Sequence, residues 1–292
     1  MTTIIDGKKL RDEILSKVKI EVASLPFQPF FCDILVGNDP ASVQYVQMKM
    51  RKAEAVGISF HNASFPDSIS TEELIKEIKK INKIPNMCGI IVQLPLPKAI
   101  DFRKVLDAID PHFDVDCLGT IASKEFYNGN ISLGFPTALS CMALLDSIKL
   151  NLKDKKIVVL GNGELVGRPV TALLNFRGFS PIVITSETLA RDAYGIAVAG
   201  GEKKEELIKN ADVIISGMGA GKYITGDMIK KGAVLIDAGA SELNAGIIGD
   251  VDLESVSSIA GFVSPVPGGV GPVTVAMLLN NVLKVAKNIP LH

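Results

Sequence analysis

Tryptophan is absent from this 292-residue chain, and aromatic residues make up only 5% of it. That scarcity argues against a stacking platform for single-stranded nucleic acid. Neither sign of charge dominates: 31 Lys and Arg stand against 32 Asp and Glu, a net charge of −1. Nucleic acid and acidic membrane surfaces are therefore not the expected partners. The four cysteines, Cys32, Cys88, Cys117 and Cys141, form no CxxC pair. A zinc cluster has no framework here, and reduced, buried thiols are expected. His61, His112 and His292 are scattered, none beside a nucleophile motif, so no metal and no catalytic histidine is expected. The first residues lack a basic segment followed by an apolar one, as a secretory signal would require. The uncharged run from Ser255 to Leu283 is long enough for a membrane span, but its prolines and glycines make it read as strand, loop and helix. The expectation is a cytoplasmic protein with no membrane contact.

What is present is ordinary globular composition, 47% hydrophobic and 22% charged. The length suits one large or two medium domains. Strand and helix patterns alternate throughout, which predicts an α/β protein with a mostly parallel sheet. Phe30 to Val36 reads as a strand, and Asp39 and Pro40 then start a helix running from about Ala41 to Val56, where Gly57 stops it. Strands are expected at Phe60 to Phe65 and Cys88 to Gln93. Helices are expected at Thr71 to Asn82 and Phe102 to Ile109. A second unit begins near residue 155. Its strands are Lys155 to Leu160, Pro181 to Ile184, Ala211 to Ser216 and Ala233 to Asp237. Pro169 to Phe176 reads as a helix, Ala190 onward as a loop leading into a helix over Glu202 to Lys209, and Thr274 to Lys287 as the last helix.

Several residue patterns suggest chemistry. Gly161-Asn162-Gly163 and, further on, Val166-Gly167 lie between an apolar strand and a helix. A glycine turn there lets a pyrophosphate approach the helix N-terminus, where N–H groups and the dipole hold it. The GxGxxxG spacing is not the commoner GxGxxG, and an ordinary strand–helix turn is the alternative. Glu187, after Ser186 at the end of the second strand, could accept hydrogen bonds from both ribose hydroxyls of NAD and would repel the extra phosphate of NADP. A solvated loop glutamate is the other reading. Tyr45 and Lys49 are four apart and share a helix face. A lysine beside a phenol in a cleft can serve as general acid or base, but spacing alone favours a solvated lysine on a stripe with Arg51 and Lys52. Gln93 ends a strand, where side chains reach the ligand crevice of an α/β sheet. Asp114 and Asp116 flank Val115, and a turn or cap would explain them as well. The loop Pro265 to Pro272, with Gly268 and Gly269, permits close backbone approach to a ligand or simply connects two domains.

Together these motifs resemble the methylenetetrahydrofolate dehydrogenase/methenyltetrahydrofolate cyclohydrolase family. The resemblance rests on Val36-Gly-Asn-Asp-Pro-Ala-Ser42 with Tyr45 and Lys49, Val92-Gln-Leu-Pro-Leu-Pro97, Asp114-Val-Asp116, Gly249-Asp-Val251, and Pro265-Val-Pro-Gly-Gly-Val-Gly-Pro272 with Thr274. It implies a homodimer of two-domain subunits. A discontinuous N-terminal α/β catalytic domain (residues 1–136 and 273–292) would join a Rossmann-like nucleotide-binding domain (137–272), with folate in the cleft between them. It implies oxidation of 5,10-methylenetetrahydrofolate with NAD or NADP, then hydrolysis of the methenyl product to 10-formyltetrahydrofolate. By the same resemblance Lys49 relays protons, Tyr45 stacks on or orients the folate, Gln93 tunes the lysine and Asp116 grips the pterin N–H groups. Asp114, Pro265, Gly268 and Gly269 complete the substrate set. Gly161, Asn162, Gly163, Val166, Gly167, Ser186 and Glu187 form the cofactor set. The chain departs from the family pattern in several places. Gly161-Asn162-Gly163 replaces Gly-Arg-Ser, Thr185-Ser186 replaces His-Ser, Phe135-Pro136-Thr137-Ala138 replaces Pro-Cys-Thr-Pro, and Cys117 replaces a glycine. The nucleotide-loop changes favour NAD over NADP. They also keep open a cyclohydrolase with an impaired nucleotide site, or a catalytically silent folate-binding homologue.

Overall fold

A computed structural model describes residues 2–185, 191–192, 203–243 and 246–289. The chain divides into two compact units. One comprises Met1–Arg11 and Thr137–Thr274, the other Asp12–Pro136 and Val275–His292. The chain opens with β1 (Thr3–Ile4), α1 (Gly7–Ala23), β2 (Phe30–Val36), α2 (Pro40–Ala55) and β3 (Ser59–Phe65). Then come α3 (Thr71–Ile81), β4 (Met87–Val92), α4 (Phe102–Leu106), α5 (Thr120–Tyr127) and α6 (Pro136–Ser147). The glycine-turn region holds β5 (Ile157–Leu160), α7 (Gly167–Phe176), β6 (Ile182–Ile184), β7 (Arg191–Asp192), α8 (Lys204–Asn210) and β8 (Val213–Ser216). The chain closes with β9 (Val234–Asp237), β10 (Ser241–Leu243), β11 (Gly246–Ile248), α9 (Leu253–Val256), β12 (Phe262–Val263) and α10 (Val270–Asn288).

The unit containing Asp12–Pro136 is built on a parallel three-stranded sheet in the order β3-β2-β4. The central strand β2 is buried on both faces from Phe31 to Val36, as a covered parallel sheet demands. Asp39 caps α2 by accepting the Ser42 N–H at 2.8 Å, and Pro40 takes the first turn. The helix gives way to Gly57 at φ +89°. Ser70 and Glu73 form a reciprocal capping box at the start of α3. The core joins Phe31, Ala53, Val56, Ile58, Ile91 and Val115 to Leu279 and Val282 of α10.

The other unit carries a seven-stranded sheet in the order β1-β12-β9-β8-β5-β6-β7. All neighbours are parallel except β6 and β7. Strands β5, β8 and β9 are fully buried, each followed at its C-terminal end by a glycine or small-residue turn. The first residues differ from the expected boundary. They belong with the glycine-turn unit, because Thr3 and Ile4 pair with Phe262 and Val263. The open edge of β12 needs hydrogen-bonding partners, and β1 supplies them. The last helix begins at Val270 instead of Thr274, since Pro272 is tolerated in a first turn where its missing N–H is no loss. Of the expected loop from Ala190, Arg191–Asp192 instead pairs antiparallel with β6. The rest of it up to residue 202, with Ser186 and Glu187, lies outside the described residues. Among the described residues no helix is long and apolar enough to cross a membrane.

Candidate active site

Lys49 is not on a solvated stripe. Its residue is 1% exposed, and it shares the buried face of α2 with Ser42, Val46 and Ala53. The ammonium Nζ donates to Gln93 Oε1 at 2.8 Å and lies 2.5 Å from Asp33 Oδ2. It also sits 4.9 Å from the Tyr45 ring centroid, within cation–π range. Gln93 is held from both ends. Its backbone N–H donates to Ile34 O at 2.8 Å, and its side-chain Nε2 to Leu94 O at 2.8 Å. The second bond turns the amide so that its oxygen meets Lys49. Three elements thus converge on Lys49: the middle of β2 with Asp33, α2 itself with Tyr45, and the end of β4 with Gln93.

Besides Asp33, one further carboxylate acts on this cation. Asp116 is half-buried, and desolvation pushes its carboxyl up to about 7 against the pull of Lys49, with Asp114 and Asp33 adding repulsion. Desolvation also raises the Tyr45 phenol, helped by Asp116 and Asp33. Asp114 has a different use. It is 1% exposed, and its Oδ2 accepts the Gly119 N–H at 2.7 Å. Burial raises it to about 6, opposed by the N–H groups of Gly119, Leu118, Asp116 and Cys117. Asp114 braces the loop that carries Asp116, through Oδ2 alone.

The second candidate site follows β5. Gly161 has φ +94°, and a Cβ there would lie 2.9 Å from Gly217 O. A Cβ on Gly167 would lie 2.1 Å from Gly161 O. The turn and the start of α7 are in backbone contact that only glycine allows. Val166 packs its side chain on Gly217, where a Cβ would meet it at 2.6 Å. Asn162 and Gly163 are exposed, and a Cβ on Gly163 would touch nothing within 4 Å. Gly161 and Gly167 are therefore the glycines the turn requires. In the loop after β12, Gly268 has φ +115° and the Gly269 N–H donates to Pro265 O at 2.7 Å. Both features shape the turn that carries the expected substrate residues Pro265, Gly268 and Gly269.

Residues 136–289 match the NAD(P)-binding domain of the family described as tetrahydrofolate dehydrogenase/cyclohydrolase, and residues 5–116 match its catalytic domain. The chain belongs to this family. A bifunctional protein FolD from Nautilia profundicola is 41% identical over 290 residues, 98% of each chain. Among solved structures, the bifunctional FolD of Campylobacter jejuni superposes with a TM-score of 0.88 at 32% identity, covering 99% of both chains. The FolD of Trypanosoma brucei, solved with NADP and an inhibitor, gives a TM-score of 0.87 at 29% identity over 98% of this chain and 97% of that one.

As a tetrahydrofolate dehydrogenase/cyclohydrolase, the protein has Tyr45, Lys49, Gln93 and Asp116 in the stretch matched to the catalytic domain and the Gly161 turn in the NAD(P)-binding stretch. Sequence reasoning gave no role to three features, although Asp250 stood in the quoted Gly249-Asp-Val251 motif. Asp33 is a charge in the otherwise uncharged strand Phe-Phe-Cys-Asp-Ile-Leu-Val, and that anomaly was the available signal. Asp237 and Asp250, both about 1% exposed or less, tie the turns after β8 and β9 together. Asp250 accepts from Ser216 Oγ (2.6 Å), Met218 N (2.8 Å) and Ala220 N (2.7 Å). Asp237 accepts from Gly239, Asp250 and Val251 N–H groups, and burial lifts it to about 6 against them. Lys204 donates to Thr185 O at 2.6 Å, which brings a cation to the end of β6.

Proposed function

We propose that Lys49 and its neighbours perform the hydrolytic step of a bifunctional enzyme. It oxidises 5,10-methylenetetrahydrofolate with a nicotinamide dinucleotide and hydrolyses 5,10-methenyltetrahydrofolate to 10-formyltetrahydrofolate. The observation that carries this reading is a lysine amine removed from water yet held in one place by Gln93. An exposed lysine would not be kept so. Lys49 would take a proton from the water that adds to the methenyl carbon and return one as the ring opens. Gln93 orients the amine, and Tyr45 offers a ring face beside it for the flat pterin. Asp116 is suited to paired N–H donors such as those on the pterin edge.

The cradle at Gly161, Gly167 and Gly217 leaves no room for side chains and opens on the N-terminus of α7, which fits a pyrophosphate. Backbone N–H groups from Asn162 to Gly167 would hold it, that of Gly161 being donated to Ile184 O at 2.8 Å. When bound, a nicotinamide dinucleotide would supply the hydride acceptor for oxidation of the folate one-carbon bridge. For that step the protein's part is alignment, so few acid or base groups are needed. Measuring nicotinamide reduction and methenyl hydrolysis by the purified protein tests both halves. Absence of hydrolysis in folded protein would defeat the role given to Lys49.

The pH dependence follows from Asp116. Its ionised form accepts the pterin N–H groups, so folate binding is expected to tighten as pH rises from 6 to 8 through the value of about 7. Asp116→Asn should remove that dependence and weaken binding overall. Calorimetric titration with a folate analogue at several pH values checks it, and a pH-independent affinity in the wild type would refute it.

NAD is the proposed preference, because Glu187 follows β6 where a ribose is recognised. Glu187→Ala should then lower kcat/KM for NAD about tenfold while leaving or improving that for NADP, a loss of about 1.4 kcal/mol. An unchanged NAD Michaelis constant would rule Glu187 out and turn attention to Lys204 as a partner for the NADP phosphate. A cytoplasmic homodimer is part of the same reading, and sedimentation of the purified protein checks its stoichiometry.

A further inference from the structure

We propose that Asp33 is a positioning residue for the hydrolytic step: it is the fixed counter-ion of Lys49 and, within the buried pair, the internal acceptor of its proton. The inference rests on the proton-relay role given to Lys49 above. Its basis is the geometry of β2 against α2. Asp33 is fully buried in the middle of a strand whose other residues are uncharged, and its Oδ2 lies 2.5 Å from Lys49 Nζ. Both of its oxygens are buried; Oδ2 meets the ammonium as a close ion pair without hydrogen-bond alignment, and Oδ1 has no partner. A buried carboxylate costs far more than the apolar residue a central strand would normally take. The fold tolerates it because a cation is pressed against it, and one carboxylate oxygen is left with spare acceptor capacity.

The groups facing this pair are few. Tyr45 comes from α2, Gln93 from the end of β4, and Asp116 from the loop between α4 and α5, while Cys32 precedes Asp33 in β2. Of these, Tyr45 and Cys32 are held neutral by burial, which raises the thiol to about 12. Gln93 can accept one N–H of the ammonium but cannot take a proton. Asp116 acts on Lys49 through its charge and is the group given to the pterin above, so Asp33, 2.5 Å from Nζ, is the acceptor in contact with Lys49. Burial favours its neutral form, opposed by the ammonium.

The step is balanced within the pair. The Lys49 ammonium passes one proton to Asp33 Oδ2, giving a neutral amine and a neutral carboxylic acid with no change of net charge. The amine then takes a proton from the water whose oxygen bonds to the methenyl carbon. When the carbon–nitrogen bond to the pterin breaks, the ammonium returns a proton to that nitrogen, the hydroxyl proton leaves to solvent, and the carbonyl of the formyl group forms. One proton is released overall for each cationic methenyl group hydrolysed. Because the resting proton moves inside the pair, Lys49 need not exchange it with solvent before it can act.

Asp33→Asn removes the acceptor and keeps the shape. In the wild type, kcat for methenyl hydrolysis is expected to be flat across the neutral range once non-enzymatic hydrolysis is subtracted. In the variant, kcat should fall at least about tenfold at pH 6 and recover with rising pH, giving an ascending limb, while KM stays within about threefold. A purely structural role would lower the rate equally at every pH, and that result overturns the proposal. So does a variant profile that superimposes on the wild type. Should Asp33→Asn fail to fold, Asp33→Val carries the same test, since an apolar residue suits a buried strand. If the wild type hydrolyses no methenyltetrahydrofolate, the functional reading and this inference both fall. If it does so and the variants match it, only the inference falls. NMR of nitrogen-labelled lysine in the free protein gives an independent readout. The Lys49 Nζ signal should respond to pH differently in Asp33→Asn and wild type, and identical titrations reject the coupling.

Discussion

Lys49→Arg is expected to abolish most methenyltetrahydrofolate hydrolysis, by about 10²–10⁴-fold, while leaving the protein folded. Arginine keeps the positive charge that Asp33 requires, but its guanidinium does not give up a proton in the accessible pH range. The variant therefore separates charge pairing from proton transfer. Lys49→Ala should lose the same activity and also destabilise the fold, by about 3–5 kcal/mol, because Asp33 would be left buried without its partner. Protonation of Asp33 would offset part of that loss. Its folded carboxyl is already raised by burial, and without Lys49 it would rise further. A folded value above the unfolded one means that the stability contribution is present at low pH and fades as pH rises through the folded value. The thermal penalty of Lys49→Ala should therefore grow from acid to neutral pH. Hydride transfer, which needs alignment more than a base, should suffer far less in Lys49→Arg. Hydrolysis by Lys49→Arg at the wild-type rate would end the proton-relay assignment.

Gly167→Ala is expected to disable nicotinamide reduction at least about tenfold and to cost about 1–3 kcal/mol of stability. The added methyl would lie 2.1 Å from Gly161 O and 2.9 Å from Asn162 Cα. Both neighbours are backbone atoms, so no rotamer change can relieve the overlap. The turn must move, and with it the N–H groups that would hold the dinucleotide. Gly163→Ala provides the contrast. Its Cβ would meet nothing within 4 Å, and an exposed change of this size is expected to stay within about 0.5 kcal/mol. Methenyl hydrolysis should persist in both variants, because the Lys49 cluster lies in the other compact unit. Melting curves and initial rates with each dinucleotide decide the matter. Equal behaviour of the two variants would contradict the division of labour among these glycines.

Local patterns account for much of this fold. The strand Phe30–Val36 and the helix after Asp39-Pro40 were legible because burial and capping leave short-range signatures. The capped helix Thr71–Ile81 was legible from its apolar spacing. Elements held by distant partners were not. β1 has two residues and no periodicity, and only its pairing with Phe262–Val263 makes it a strand. α1 and α5 mix charged and apolar positions with weak periodicity, so their existence depends on packing. The start of α10 was misplaced because Gly271 and Pro272 resemble a loop until the helix is seen to accommodate them.

For the site, motif order alone brought Tyr45, Lys49, Gln93 and Asp116 forward as candidates, and the glycine turn before α7 could be placed from its neighbours in sequence. Spacing within α2 could have gone further, since Val46 and Ala53 put Lys49 on the apolar stripe. What the amino-acid order determined by itself was the alternation of strands and helices, their caps and the positions of the turns, all set by interactions over a few residues. What only the tertiary structure decided was the state of the charges. Lys49 becomes a buried, oriented ammonium, Asp114 a loop brace and Asp33 a counter-ion because β2, α2 and the segments following β4 meet and exclude water there. Desolvation and ion pairing depend on that meeting, and residues 16 and 44 positions apart cannot announce it in sequence.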